Sequence, residues 1–116
     1  MQRDLERLED ILTGTADIAS FAEGLDFETF SAERGRRNSI LHALTIIGEA
    51  SNQLSAELRE RHPAVPWRRI IDFRHRVIHG CNLLNLELCW QIAIEFAPIL
   101  REQIQAVLAS EYPKDR

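Results

Sequence analysis

Apolar side chains recur along this chain at three- and four-residue steps, and no segment shows the two-residue alternation of a strand. In residues 2–22, Leu5, Leu8, Ile11, Leu12, Ile18, Ala19 and Ala22 share one stripe, which predicts a first helix ended by Gly24. Asp26 or Ser31 is placed to cap a second, longer helix reaching about Leu54, with Ile40, Leu41, Leu44, Ile47 and Ala50 turned inward. Gly48 falls in the middle of that helix, where glycine costs about 1 kcal/mol relative to alanine. Close approach by a neighbouring helix is the usual compensation.

A short helical piece, SAELRERH, then stops at Pro63. Pro66 opens the next helix, since a proline in the first turn lacks only an N–H that would have no partner there, and Gly80 closes it. After the loop CNLLN, Asn85 caps a last helix with Glu87 in its first turn, running to about Ser110 and bent at Pro98. Its first half is apolar on nearly every side: Leu86, Leu88, Cys89, Trp90, Ile92, Ala93 and Ile94. Such a helix is buried on more than one face, and a second subunit supplies the extra cover. The pattern predicts an all-α, up-and-down bundle of four to five helices, one domain over residues 1–116, pairing as a C2 dimer.

At 116 residues a single core suffices without disulfides or structural metal. Cys81 and Cys89 form no close-spaced pair, the first ten residues are too charged for a secretory leader, and no apolar run approaches the roughly 20 residues of a membrane span. The expectation is a cytoplasmic protein without membrane association. A net charge of −4 conceals an asymmetry: residues 1–33 carry two arginines against nine acids, whereas residues 59–79 carry six arginines against Glu60 and Asp72. His62, His75 and His79 share that basic stretch. It suits phosphate, or it is a solvated arginine-rich face; the acidic first third is a docking surface for a basic partner or a solvated face too.

RHRVIHGC, Arg74 to Cys81, changes the picture. On a wheel of about 100° per residue, Trp67, Ile70, Ile71, Val77 and Ile78 form a stripe with Arg74 in its middle, and His75 and His79 lie on a flank with Arg68 and Asp72. An unpaired buried guanidinium is prohibitive, so Arg74 needs an anion or must point into a wet cleft. Glu49 on the neighbouring helix is one option; a ligand phosphate held by the arginine fork is the other. His79 ends the helix, where open carbonyls favour the imidazolium and acid–base work on a phosphodiester. Arg74 and His79 sit about 140° apart, so either the last turn unwinds at Gly80 or two subunits assemble the site. Metal competes weakly: His75 and His79 are spaced i, i+4, yet neither a CxxC pair nor an HExxH motif is present and the arginines repel a dication. No metal or other cofactor is expected. His62 reads as an exposed surface residue, and the cysteines as buried packing.

The run from ALTIIGEASNQL through HPAVPWRRIIDF to RHRVIHGCNLLNLELCW resembles the HepT-like proteins of the HEPN superfamily, over roughly residues 26–105. Their motif of arginine, a polar residue, three variable residues and histidine is met by Arg74, His75, Arg76-Val77-Ile78 and His79. The resemblance implies a toxin of a toxin–antitoxin pair, acting as a metal-independent endoribonuclease in which two motifs line a dimer cleft. Arg74 would then hold the scissile phosphate and His79, with His75 beside it, would handle the protons, while Arg68 and Arg76 bind RNA phosphate. It further implies a nucleotidyltransferase antitoxin, which in some pairs transfers AMP to a tyrosine two residues past the histidine. Here that position is Cys81, which lacks the phenolic hydroxyl, so that modification is excluded at this site and a non-catalytic module binding nucleotide, RNA or the partner is the alternative. Glu33 stands where an aspartate is expected ahead of the second helix.

Overall fold

The computed structural model describes residues 2–80 and 86–113, and the side chains of residues 2 and 75–80 lie outside that description. Every regular element among the described residues is helical: α1 (Gln2–Ala22), α2 (Phe27–Ala32), α3 (Arg34–Gln53), α4 (Ala56–Arg61), α5 (Trp67–Gly80), α6 (Leu86–Gln91), a π-helical turn (Ile92–Phe96) and α7 (Ala97–Glu111). Since α6, the π turn and α7 run on without a gap, they form one rod. Four long rods, α1, α3, α5 and α6–α7, therefore make up the bundle, and all-α architecture is what the periodicity predicts. α1 packs on α3 and α7, α3 also carries α5, and α2 lies on α3 and α6.

The core follows the predicted stripes. Leu8, Ile11 and Ile18 of α1 meet Ile40, Leu44, Ile47 and Ala50 of α3, with Leu100, Ile104 and Val107 of α7 on the other side, all buried. Gly24 turns the chain after α1 with φ 78°, a left-handed conformation that side chains rarely adopt. Asp26 then caps α2, its carboxylate accepting from the Thr29 N–H at 2.8 Å and the Thr29 hydroxyl at 2.7 Å. Those bonds, the backbone one foremost, hold the Asp26 carboxyl below the usual range.

One expected helix becomes two. Instead of running unbroken to Leu54, the chain breaks at Glu33 (φ −86°, ψ 95°), which ends α2 by donating its N–H to the Thr29 carbonyl and begins α3 without a side-chain cap. The break turns Phe30 into the core, its ring centroid 4.9 Å from that of Trp90, while α3 keeps its own stripe against α1. α3 opens on Arg34, Arg36 and Arg37, the wrong charge for a helix N-terminus. Two of them bend away and donate to carbonyls: Arg36 to Glu23 at 3.1 Å and Arg37 to Ser31 at 2.7 Å.

The other surprise is in the last rod. Pro98 has no N–H to give the Ile94 carbonyl and its ring crowds that carbonyl. The helix widens just ahead of it: the Ala97 N–H reaches back five residues to the Ile92 carbonyl, and the rod continues. Asn85, the predicted cap, lies outside the described residues. Near the front of the chain, the buried Asp4 side chain accepts from both the N–H (2.9 Å) and the hydroxyl (2.7 Å) of Ser55, which in turn accepts from Leu58 N–H at the start of α4. No described helix is long and apolar enough to cross a membrane.

Candidate active site

Arg74 projects from the face of α5 that meets α3, and Gly48 is what it meets there. A methyl group built on Gly48 would collide with the Arg74 Cβ and lie 3.0 Å from its Cγ and 3.3 Å from its Cα. The compensation expected for a mid-helix glycine is thus present, and its beneficiary is the arginine. The Arg74 side chain is half-buried, and its Nε is sealed from solvent without a hydrogen-bond partner. Glu49, the proposed internal counter-ion, is exposed, and no ion pair among the described residues joins it to Arg74. A sealed donor with no acceptor is costly, by about 1–3 kcal/mol. Among the described residues, no carboxylate neutralises the Arg74 charge.

α5 stays helical through Gly80, so the option of an unwound last turn is overturned. Arg74 and His79 remain on one regular helix, about 7.5 Å apart along its axis and about 140° around it. His75, Arg76 and His79 belong to this helical backbone; their side chains, and Cys81 altogether, lie outside the described residues. Arg68 is exposed, about two turns before His75. Cys89 is buried in the core as packing.

Beside this helix a groove of about 550 Å³ opens between α3, α5 and the last rod, with Ile47 and Ile70 in its floor and Arg69, Asp72, Phe73 and Phe96 along its sides. The over-apolar start of the last rod is only partly covered by its own chain. Cys89, Trp90 and Ala93 are buried, but Ile94 is 42% exposed and Ile99 56%. A second hollow, about 470 Å³, lies between α1 and α3 on the acidic side, bordered by Asp10, Asp17 and His42.

His62 is not the exposed residue expected from its place beside Pro63. Its side chain is only 17% exposed, and its Nε2 donates to Glu111 Oε2 at 2.6 Å. Arg61 grips the same carboxylate with two bonds, 2.9 Å from Nε and 2.7 Å from Nη2, and the His62 carbonyl accepts from the Trp67 indole at 3.0 Å. This clasp ties the end of α7 to the turn that launches α5, and so fixes the start of the helix bearing Arg74. Local sequence carries no sign of it, because the partners are 49 and 50 residues apart.

Arg61 first and His62 second hold the Glu111 carboxyl down, from 4.5 to about 2. A carboxyl lowered in the folded state stabilises above its unfolded value, and that contribution fades as the pH falls from 4.5 through about 2. Glu111→Gln is therefore expected to lower stability at pH 7 by about 1 kcal/mol, the pair being near the surface. The deficit should shrink on acidification below pH 4.5, as followed by denaturant titrations at several pH values. A deficit independent of pH would show that the clasp acts by packing alone.

The described residues define an all-α bundle with a half-buried arginine on an inter-helix face that no described carboxylate pairs. Comparison with known proteins makes this specific: the model of the Ribonuclease HepT-like family matches residues 3–107, and the chain belongs to that family. Among its relatives is a candidate RNase of Methanocaldococcus jannaschii, 32% identical over 107 residues, covering 91% of this chain and 98% of the relative. Another candidate RNase, from Caldanaerobacter subterraneus, is 32% identical over 104 residues, covering 90% of this chain and 93% of its own length. A protein of Thermococcus cleftensis named as a probable ribonuclease HepT is 30% identical over 98 residues, 84% of this chain and 89% of its own. No solved structure gives a significant match.

Proposed function

We propose that this chain is a metal-independent endoribonuclease, the cytoplasmic toxin of a toxin–antitoxin pair, which cuts RNA at a cleft shared by two copies. The observation that carries it is the half-buried Arg74, set on an apolar helix face without a carboxylate partner among the described residues, in a chain of the HepT-like family. The guanidinium binds the non-bridging oxygens of the scissile phosphate and offsets the charge that builds on them. RNA carries its own nucleophile, so no metal-bound water is required. The 2′-oxygen attacks phosphorus as His79 or His75 takes its proton, the bond to the 5′-oxygen breaks, and a second imidazolium protonates that leaving oxygen. Arg68 and Arg76 hold the flanking phosphates.

Two copies are favoured by two observations. A straight α5 keeps Arg74 and His79 on different sides of one helix, so a single chain presents them poorly to one phosphate. Ile94 and Ile99 leave apolar area on the last rod uncovered. The antitoxin is a nucleotidyltransferase that silences the toxin by binding it, because Cys81 offers no phenol for AMP transfer. Cys81 also favours a second reading, a non-catalytic module that binds nucleotide, RNA or this partner. Single-stranded RNA incubated with purified protein and excess chelator separates them. Cleavage is expected to persist with chelator and to fall by about 100-fold or more in His79→Ala. Binding without turnover in the parent protein selects the module.

A further inference from the structure

We propose that Gly48 is the positioning residue of Arg74: the side chain it lacks is the space into which α5 brings the arginine stem, and that seat aims the guanidinium. The inference rests on the phosphate-binding role given to Arg74 above and adds a second residue to the site, on a different helix. Three features support it. The contact made by a Gly48 methyl falls on Arg74 Cβ, Cγ and Cα, not on the flexible end of the side chain. An added methyl therefore cannot be relieved by a rotamer change at the head group; it has to move the backbone of α5. The Arg74 Nε is sealed without a partner, so hydrogen bonds from that atom do not orient the head, and the packing of the stem against Gly48 does. The cost of glycine in mid-helix is retained at a place where nothing about helix formation asks for it.

Gly14 provides the contrast. A methyl group there would lie 2.7 Å from Cγ1 and 3.2 Å from Cδ1 of Ile47, a buried apolar side chain at the contact of α1 with α3. Gly14→Ala thus disturbs helix packing without touching Arg74. Misplacing a reacting group by about 1 Å costs on the order of 100-fold in rate.

The test uses the full chain labelled with ¹⁵N at arginine, with inorganic phosphate as the probe, and the Arg74 Nε–H resonance identified by its loss in Arg74→Lys. In the parent, this Nε–H is expected to be as rigid as backbone, with an order parameter near 0.85, and to shift on phosphate addition. Gly48→Ala should weaken the phosphate response and cut RNA cleavage by about 100-fold, whereas Gly14→Ala should keep both near the parent's. Gly48→Ala behaving like the parent, or Gly14→Ala losing as much, overturns the proposal. So does an Arg74 Nε–H that is mobile in the parent, with an order parameter below about 0.6, a result that stands even if Gly48→Ala does not fold. A parent that cuts no RNA but shows a phosphate response dependent on Gly48 removes the nuclease reading and leaves the positioning role in place.

Discussion

Arg74→Ala is expected to lower RNA cleavage by about 1000-fold, the scale set by removing a preorganised donor from a charge-building site. The same change should barely alter the helical circular-dichroism signal. Arg74 contributes no internal ion pair among the described residues, and its Nε has no hydrogen-bond partner to lose. What is lost is the packing of its stem against Gly48, which bears on position more than on folding. Arg74→Lys keeps the charge but not the planar fork, and should recover only part of the rate. Initial rates and thermal midpoints on the three proteins decide the matter. Full activity in the alanine variant would remove Arg74 from the chemistry; a collapse of the midpoint would make it a structural residue.

Phe30→Ala is the largest stability effect anticipated. Phe30 is fully buried on α2, a helix of six residues that has little else to hold it down, and its ring lies against Trp90 and near Phe27. Truncating a buried phenylalanine costs about 3–5 kcal/mol, out of the 5–15 kcal/mol that holds a typical domain together. A melting midpoint lower by at least about 12 °C is expected for a chain of this size. Trp90 fluorescence should shift to the red at the same time, as its apolar neighbour is replaced by space. A midpoint within a few degrees of the parent's would mean that α2 is an ornament on the bundle.

Much of the bundle can be read in the chain because helical periodicity is a local signal. The stripes Leu8–Ile11–Ile18 and Ile40–Leu44–Ile47 are both buried as their spacing requires. The break at Glu33 is legible only in part: Ser31 is a cap candidate and the resemblance expects an acid at Glu33. The separate α2 ahead of it rests on the burial of Phe30 against a residue 60 positions away in the chain. Pro98 signals a disturbance, but its form, a π turn and not a bend alone, depends on which carbonyl the Ala97 N–H finds. The setting of His62 is hidden from local sequence in the same way. Its counterpart Glu111 arrives from the far end of the chain, and a histidine beside a proline looks like loop.

At the site the balance differs. A charged residue on an apolar stripe and a glycine where helix formation disfavours it are both one-dimensional anomalies, and they turn out to touch each other. Neither alone reveals the pairing, since Gly48 and Arg74 are on separate helices. The wheel allowed an unwound end to α5, and continuous helix through Gly80 removes that option because the i→i−4 ladder holds to the last residue. His75, Arg76, His79 and Cys81 stand on sequence and family resemblance, with only the α5 backbone, as far as Gly80, added to them.

The widened turn at Ile92–Phe96 gives the final rod one more residue than a regular ladder needs. The buried positions Leu86, Trp90, Ala93, Ala97, Leu100, Ile104 and Val107 keep three- and four-residue steps on both sides of it, so one apolar stripe runs through the widened turn. In a lineage, such a spot is where a single-codon gain or loss can be absorbed, provided the neighbouring Pro98 changes with it, since a restored ladder has no room for its ring.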